Sequence, residues 1–325
     1  MRIFTILVLL GLAATPALGD PLAITAAPLD RFALLSNATS FGPFNWRGGL
    51  ELTSSNTKFG GLSGLVMAKN CTSMVAVSDA GRWISADVDY TGDTLSGLSA
   101  ANINPILDSA GKPPLRKALS DAEALAAGPN GMTIVGFESK TRVGFYDLAS
   151  KGFKAKFQKL NPPREIANGP GNGELESVGY FHAGPLKGNY IAIAEKNLDA
   201  NGNAKAWVWN AKRSTAFSIH QLENYSITDI AVLQDGDILI LQRSFSLTSL
   251  PGAAITRLSA SSIAKGKTAK PDTLFEAKVP FYAIDNMEGI TVCERGGETR
   301  VTLVSDNNFN GDLQRTLLLQ FSYAP

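Results

Sequence analysis

The chain has 325 residues, and its charges almost cancel, with 30 Lys and Arg against 29 Asp and Glu. This balance excludes a strong overall field that would favour nucleic acid or an anionic membrane surface. Two histidines and two cysteines also exclude a metal site built from several histidines and a scaffold held together by many disulfides.

The first predicted element is a secretory signal. Residues 1–19 combine one Arg, an apolar run and the small residues Ala17 and Gly19 at the spacing of a cleavage site. This pattern predicts cleavage before Asp20 and export to the periplasm or the medium. The apolar run is too short to span a bilayer, so we expect no membrane insertion. We expect residues 20–325 to form one domain, because no linker or change of composition divides them.

Five similar units follow along the chain. Each unit starts with an acidic or hydroxyl residue, a small residue and aliphatic residues, and continues into an aliphatic run that ends in polar groups. The first positions, 52 to 60 residues apart, are Ser63, Glu123, Glu176, Thr228 and Glu288. The aliphatic runs have the composition of strands, and they are MVAVSD (74–79), MTIVGFES (132–139), YIAIAEK (190–196), DILILQR (237–243) and VTLVSDN (301–307).

This repeat predicts a fold. A period of this length, with a β-hairpin opening each unit, is typical of an all-β propeller with four-stranded blades. The length outside the five units favours five blades, with the N-terminal strand RGGLELTSS (47–55) completing the last sheet and closing the ring; six blades remain open. The stretch DAEALAAG (121–128) resembles a short helix in composition, but its place in the repeat predicts an innermost strand.

The two cysteines bear on the number of blades. Cys71 and Cys293 both fall in the turn between the first two strands of their units, in the first and the fifth unit. With five blades these units are neighbours, and a disulfide would lock the ring; with six blades they are separated. Two isolated buried thiols are the alternative.

The hairpins bring acidic side chains to one end of the channel, which we call the mouth. In a propeller, the first strand of each blade starts, and the second strand ends, at the same face near the axis. We therefore expect a ring of acids from both strands, made of Asp79, Glu123, Glu138, Glu176, Glu195, Asp229, Glu288 and Asp306. The structural alternative is that each acid only bonds to backbone N–H groups of the adjoining blade.

Converging carboxylates resist ionisation unless a positive group lies among them. A hard divalent cation such as calcium, which takes oxygen ligands, is one such group. Basic side chains that follow the second strands are another, namely Arg82, Lys140, Arg142, Lys196 and Arg243. A mouth with both signs of charge can hold a metal and a phosphate together.

Signals for a serine nucleophile are weak. The sequence GLSG around Ser63 lacks the spacing of a nucleophile elbow, and SIAK (262–265) lies in a polar loop. A Ser-His-Asp triad would need His182 or His220, and neither follows the repeated mouth positions.

The aligned units resemble the bacterial phytase-like family, described as having esterase-like activity of phytase. The motifs that carry the resemblance are FGGLSGL, VSDAGRW, DAEALA, GELESV, LQDGDILILQRSF, DNMEGITV and VSDNNF, spread over roughly residues 45–322. The resemblance implies an exported β-propeller with calcium at an acidic mouth. Ser63 and Gln242 stand where the family pattern expects acids, which weakens the case for a multi-calcium cluster.

These observations together predict a calcium-assisted phosphoric-ester hydrolase. We expect Asp79, Glu123, Glu176, Glu288 and Asp306 to bind the metal, Glu138 or Glu195 to position water, and Arg82, Lys196 and Arg243 to hold the phosphate. The expected partner is a small phosphorylated substrate or ligand, with no nucleic acid, and the protein is expected to be a monomer. The alternatives are a non-catalytic ligand-binding or protein-binding propeller of the cell envelope and a metal-independent carboxylesterase.

Overall fold

The computed structural model describes residues 19–167, 175–246 and 249–325. With 53% of its residues in strands and 7% in helices, it is an all-β structure of five four-stranded blades around a channel. The predicted five-bladed propeller is confirmed, and the described residues leave no sheet for a sixth blade. The predicted signal over residues 1–19 lies outside the described residues except for Gly19. Within the described ranges, no helix is long and apolar enough to cross a membrane.

Numbered in chain order, the blades consist of antiparallel strands that follow one another from the channel outward. Blade 1 contains Leu62–Met67, Ser73–Ser78, Arg82–Thr91 and Thr94–Pro105. Blade 2 contains Ala122–Ala127, Thr133–Phe137, Arg142–Tyr146 and Gln158–Leu160. Blade 3 contains Ser177–Tyr180, Tyr190–Leu198, Ala204–Trp209 and Ser214–Ile219. Blade 4 contains Ser226–Val232, Ile238–Ser246, Ser249–Leu258 and Asp272–Lys278. Blade 5 contains Met287–Arg295, Glu298–Ser305, Thr316–Tyr323 and Phe44–Thr53.

Short elements lie outside this plan. Strand Asp20–Pro21 pairs with the outer strand of blade 1, Thr25–Pro28 and Ser40–Phe41 pair with the outer strand of blade 5, and Thr268–Ala269 runs parallel to the outer strand of blade 3. The helical segments are the α-helices Lys117–Ser120 and Leu148–Lys151 and the 3₁₀ turns Pro129–Gly131, Gly152–Lys154, Arg164–Ala167 and Ala260–Ser262. The stretch predicted as an innermost strand is Ala122–Ala127, so that prediction is confirmed.

The N-terminal strand closes the ring. Phe44–Thr53 pairs with the C-terminal strand Thr316–Tyr323, with Leu50 opposite Leu318. The two ends of the chain thus share one sheet, as the sequence predicted. Apolar side chains fill the spaces between blades, and the innermost strands approach closely because small residues line them. A Cβ added at Gly64 of blade 1 would lie 2.8 Å from the Cβ of Leu125 in blade 2.

A disulfide joins the first blade to the last. Cys71, in the turn after the innermost strand of blade 1, is bonded to Cys293 in the innermost strand of blade 5. The two residues are 222 positions apart in sequence. The bridge that the sequence left open is present, and its position across the closure of the ring follows from the five-blade count.

We expect loss of this bridge to destabilise the ring. Replacing both Cys71 and Cys293 by Ser removes a cross-link that closes a very long loop, which should lower the free energy of unfolding by about 3–5 kcal/mol. Urea unfolding measures the change. Reduced wild type is the control and should match the double variant. Unfolding curves of the oxidised wild type and the double variant that coincide would show that the bridge has no stabilising role.

Candidate functional site

The repeated first-strand position is a β-bulge. In blades 1, 2, 4 and 5 one residue of the innermost strand is skipped by the pairing, and these residues are Ser63, Glu123, Thr228 and Glu288. In blade 3 the equivalent residue, Glu176, directly precedes the innermost strand. A bulge locally redirects a side chain out of the regular alternation of a strand. In four of the five repeats the acidic or hydroxyl residue therefore reflects a backbone irregularity at the mouth.

A second ring lies at the ends of the second strands. The backbone N–H of Asp79 donates to the carbonyl of Gly61 at 2.9 Å, and that of Asp306 donates to Asn286 at 2.9 Å. In blade 4 the position belongs to Arg243, because Ser226 pairs with Arg243 as the strand reaches the mouth. This register corrects the expectation that Gln242 replaces the acid.

Gln242 has a structural role instead. Its side chain is buried, donates to Thr256 Oγ1 at 3.1 Å and accepts from the backbone N–H of Leu222 at 2.9 Å. The positive side chain of Arg243 thus stands in the second ring where three other blades carry Asp79, Glu138 and Asp306. One blade supplies a cation to a ring that is otherwise acidic.

The two rings surround a cavity of about 520 Å³ at the mouth. Seven carboxylates and two basic side chains line it, together with polar residues such as Asn224, Asn308 and Gln314. The predicted site residues on its wall are Asp79, Glu123, Glu138, Glu176, Glu195, Lys196, Arg243, Glu288 and Asp306. The convergence expected from the repeat is therefore present, and the volume is typical of small-molecule sites.

Four predicted residues lie elsewhere, and two of them are the basic residues Lys140 and Arg142, which do not line the cavity. Arg82 begins the third strand of blade 1, pairs with Ser78, and does not line the cavity. Asp229 is fully buried, and its Oδ2 accepts from the backbone N–H of Ile290 in blade 5 at 2.8 Å. The expectation that Asp229 extends the ring is wrong, because Thr228 occupies the bulge and Asp229 returns to the strand. Asp229 instead bonds to the backbone of the adjoining blade, which was the alternative role expected for these acids.

Arg243 connects the acids of blades 3 and 5. Its Nη1 donates to Glu288 Oε1 and to Asn286 Oδ1, and its Nη2 lies 3.5 Å from Glu195 Oε1. Burial lowers the pKa of Arg243, but the charges of Glu288, Glu195 and Glu176 outweigh it and raise the pKa above its usual value. Lys196 Nζ also pairs with Glu195, at 2.8 Å. These side chains form a charge-paired half of the mouth.

The opposite half, on blade 2, is a cluster of acids. Carboxylate oxygens of Asp121, Glu123 and Glu138 lie within 4.8 Å of one another. Lys117 Nζ approaches Asp121 Oδ1 at 3.8 Å, but its closer partner is Asp79 Oδ2 at 2.9 Å. We call Asp121, Glu123 and Glu138 the blade 2 triad.

Asp121 was missed by the sequence analysis, although a signal existed. It lies two residues before Glu123, and the equivalent position in blade 5 is Asn286, two residues before Glu288. Both contribute to the mouth, because Asn286 lines the cavity and Asp121 belongs to the triad. Aligning the units two residues further upstream would have shown a third repeated polar position.

Burial and the proximity of other acids raise the pKa values of several carboxyl groups at the mouth. Burial raises the pKa of Glu123 well above its usual value, and the charges of Glu176 and Asp121 raise it further. Burial, with Glu195 and Glu288 nearby, does the same to the pKa of Glu176. Burial raises the pKa of Glu288 to about 7 despite the opposing charge of Arg243, and burial raises that of Asp306 to about 6.

The donor set of the mouth fits a hard cation. Calcium prefers carboxylate oxygens, and the triad offers three that are already close together. Asp79 Oδ1 is buried and has no hydrogen-bond partner, although a buried polar atom normally has one. Gly61, at φ +64°, leaves room for this oxygen, since an added Cβ would lie 2.1 Å from it. The residues present therefore suit calcium.

We expect the metal-free protein to lose stability as the pH rises. Glu288 and Asp306 keep their protons up to about pH 7 and 6 in the folded protein, against usual pKa values of 4.5 and 3.8. Between the usual and the raised pKa of each group the folded state binds more protons than the unfolded state, so the free energy of unfolding falls with rising pH. Each unit by which a pKa is raised corresponds to about 1.4 kcal/mol. Thermal melts in EDTA, from the usual pKa of Glu288, 4.5, to its raised pKa of about 7, should show a falling Tm. A level or rising Tm would contradict this prediction.

No serine triad forms among the described residues. Ser63 lines the mouth, and its Oγ donates to the carbonyl of Gly61 at 3.3 Å. His182 Nε2 contacts the carbonyl of Ala127 at 3.1 Å, and neither His182 nor His220 lines the cavity. A histidine base for Ser63 is therefore missing from the described site, which argues against the carboxylesterase alternative.

A scan against protein-family models matches residues 57–309 to the phytase-like family, described as "Esterase-like activity of phytase". The chain belongs to the phytase-like family. The phytase-like match includes both rings of the mouth, from Ser63 to Asp306, whereas the strands Phe44–Thr53 and Thr316–Tyr323 that close the propeller lie outside it. Among curated proteins, none matches the sequence.

Solved structures with a similar chain path are distant in sequence. A gluconolactonase from Xanthomonas campestris is 8% identical, with a TM-score of 0.47, 93% of this chain and 99% of that chain covered. The WD40 repeats of RRP9 are 8% identical, with a TM-score of 0.43 and coverage of 81% and 95%. The N-terminal domain of Nup159 is 12% identical, with a TM-score of 0.36 and coverage of 92% and 100%. At these values the similarities say nothing about the activity of this phytase-like chain.

Proposed function

We propose that the protein is an exported, calcium-assisted phosphoric-ester hydrolase whose active site is the mouth cavity. The observation that carries this proposal is the division of the mouth into the blade 2 triad, whose carboxylate oxygens lie within 4.8 Å of one another, and a half in which Arg243 and Lys196 already pair with acids. The first half suits a metal and the second suits a phosphate. Family membership supports the same chemistry.

The ligand set is concentrated on blade 2. Asp121, Glu123 and Glu138 would hold calcium, with Glu176 and the unpartnered Oδ1 of Asp79 as further oxygen donors on the same wall. Calcium bound there would neutralise the carboxylates and polarise a phosphoryl oxygen. Because Arg243 and Lys196 already neutralise part of blades 3 and 5, fewer metal ions are needed than in a ring made of acids alone.

The remaining groups bind the ester and move a proton. Arg243 presents a planar guanidinium suited to phosphate oxygens, held in place by Glu288 and Asn286. Lys196 Nζ is more than half exposed and can turn from Glu195 to a phosphate. Glu195, which lines the cavity and is not among the calcium ligands, then accepts a proton from the attacking water and returns it to the leaving alcohol oxygen.

Export is part of the proposal. The signal predicted over residues 1–19 would place the protein in the periplasm or the medium, where calcium is more abundant than in the cytoplasm and where disulfides persist. The bridge between Cys71 and Cys293 is compatible with such a compartment. Mass spectrometry of protein secreted by a native-like host tests this step, since cleavage should leave Asp20 as the first residue.

Phosphate release is the test of the activity. We expect purified protein to release phosphate from phytate or an aryl phosphate in calcium and to lose this activity in EDTA. The Asp272→Asn variant is a matched control, because it removes an exposed carboxylate at the end of blade 4 remote from the mouth. No phosphate release in calcium, together with a melting temperature unchanged by chelation, would refute the proposal.

A non-catalytic binding propeller is the second candidate. It is favoured by the existing pairing of Arg243 with Glu288 and Glu195, which would let the mouth hold a phosphorylated ligand without activating water. This reading expects calorimetry to detect phosphate binding while phosphate release remains absent. Replacement of Glu195 by Gln distinguishes the two, since it should abolish turnover in an enzyme and leave binding mostly intact in a binder.

A further inference from the structure

The ammonium group of Lys117 holds two acids of the proposed calcium site together. Lys117 Nζ lies 2.9 Å from Asp79 Oδ2 and 3.8 Å from Asp121 Oδ1. Asp79 directly follows the second strand of blade 1, whereas Asp121 directly precedes the innermost strand of blade 2. One lysine therefore joins the two blades at the point where their carboxylates converge.

The four oxygens of these two acids differ in how firmly they are held. Asp121 Oδ2 accepts a hydrogen bond from Ser139 Oγ, whereas the ammonium group near Asp121 Oδ1 is beyond hydrogen-bond distance. Asp79 Oδ2 accepts from Lys117, and Asp79 Oδ1 is buried without a partner in the described part of the chain. Calcium bound to the two Oδ1 atoms would stand beside an ammonium group that the same carboxylates already hold. Because like charges repel at such distances, calcium and Lys117 compete for these acids.

The backbone that carries Lys117 is fixed, whereas its side chain is free to move. The one-turn helix Lys117–Ser120 packs against a turn of blade 1, where a Cβ added at Gly81 would lie 2.4 Å from the Cβ of Ser120. Arg142 of blade 2 donates to the carbonyl of Leu119 in the same helix. The side chain of Lys117, by contrast, is 69% exposed. Since lysine has a long, flexible stem, its ammonium group can leave the acids and remain tethered at the rim.

The two basic side chains on the cavity wall are held differently. Arg243 is largely buried and pairs with Glu288 and Glu195. Lys196 also pairs with Glu195. Neither Glu288 nor Glu195 belongs to the proposed ligand set, so calcium can bind without breaking these ion pairs. The ion pairs of Lys117 are the ones that a metal on blade 2 has to disturb.

We propose that Lys117 is a tethered counter-ion of the metal-free site and that calcium displaces it on binding. This inference rests on the proposed function and names a regulation of that same site. A tethered group competes at a high effective concentration, so the lysine weakens calcium binding more than a free monovalent ion does. Lys117 neutralises the acids when calcium is scarce and sets the calcium concentration that the site needs.

Titration calorimetry with calcium alone tests the competition without reference to activity. Replacing Lys117 by Met removes the charge and keeps the length of the side chain, so calcium should bind at least about fivefold more tightly. Lys117→Arg keeps the charge and should bind calcium as wild type does. Lys112→Met, in a turn earlier in the same segment, is the matched control. It removes an exposed lysine and changes the net charge equally, and it should leave the affinity unchanged.

Melting temperatures distinguish competition from a purely structural role. In EDTA, Lys117→Met should melt below wild type, because Asp79 and Asp121 lose their cation. In saturating calcium the two proteins should melt at the same temperature, because wild type has then lost the same ion pairs. A ligand that binds more tightly stabilises the folded state more, so the gain in affinity should offset the loss seen in EDTA. An equal deficit in EDTA and in calcium would show that Lys117 only supports the fold, and it would overturn the inference.

Phosphate release separates failure of this inference from failure of the proposed function. If Lys117→Met binds calcium no more tightly than wild type, the inference is overturned, while calcium-dependent phosphate release by wild type still supports the hydrolase. If Lys117→Met binds calcium more tightly and wild type releases no phosphate, the counter-ion is supported and the hydrolase is refuted. Absence of calcium binding by both proteins would overturn both proposals.

Discussion

Replacing both Glu123 and Glu138 by Gln should remove the response of the protein to calcium. Glu123 and Glu138 supply two of the three oxygens of the blade 2 triad. Loss of groups that only support metal ligands costs 10–100-fold in affinity, so loss of two ligands should weaken calcium binding by at least about 100-fold. Phosphate release in calcium should fall with it. Titration calorimetry on protein from which the metal has been removed measures the affinity for calcium directly.

The same variant should have the opposite effect on the metal-free protein. The carboxyls of Glu123 and Glu138 have raised pKa values because of burial and neighbouring acids. Neutral amides remove that repulsion, so in EDTA the double variant should melt at a higher temperature than wild type. Calcium should raise the Tm of wild type and of the control Asp272→Asn, but not that of the double variant. Equal calcium-induced shifts in all three proteins would refute the triad as the metal site.

Replacing Arg243 by Met should destabilise the protein more than any other single change at the mouth. Arg243 is largely buried between Glu288 and Glu195, and removing one partner of a buried ion pair costs about 3–5 kcal/mol because the opposite charge is left without compensation. Urea unfolding in EDTA should show this loss. Phosphate release should also fall, since the guanidinium is assigned to the substrate.

A second substitution distinguishes charge compensation from packing. Adding Glu288→Gln to Arg243→Met removes the uncompensated carboxylate, so part of the lost free energy of unfolding should return, while activity should not. Residues that share an ion pair show such non-additive effects. A single Arg243→Met variant within about 1 kcal/mol of wild type, or a double variant that is no better than the single one, would contradict this role of Arg243.

The repeat in the sequence predicted the propeller, the closing strand and most of the cavity wall, and it favoured the five blades that the structure contains. The period of 52 to 60 residues reflects one blade per unit. The residues before Ser63 and after Glu288 leave room for one blade, the fifth, whose sheet the two termini share. The pairing of Glu123 with Glu138 and of Glu288 with Asp306 followed from hairpin geometry alone. These features depend on strand direction, which a sequence pattern records well.

The wrong predictions concern residues whose position depends on the strand register to within one residue. A bulge at Thr228 turns Asp229 from the mouth into the contact with Ile290, and the same bulge brings Arg243 instead of Gln242 to the second ring. A single-residue shift reverses the side of a strand on which a side chain lies. Such a shift is invisible in composition. The position of Arg82 after the turn likewise depends on the turn's path.

Crystals grown with calcium and inorganic phosphate would locate the metal in the mouth through its anomalous scattering. We expect an anomalous peak bounded by Asp121, Glu123 and Glu138, with phosphate density against Arg243 and Lys196. A mouth without metal, or calcium bound only outside the cavity, would contradict this expectation.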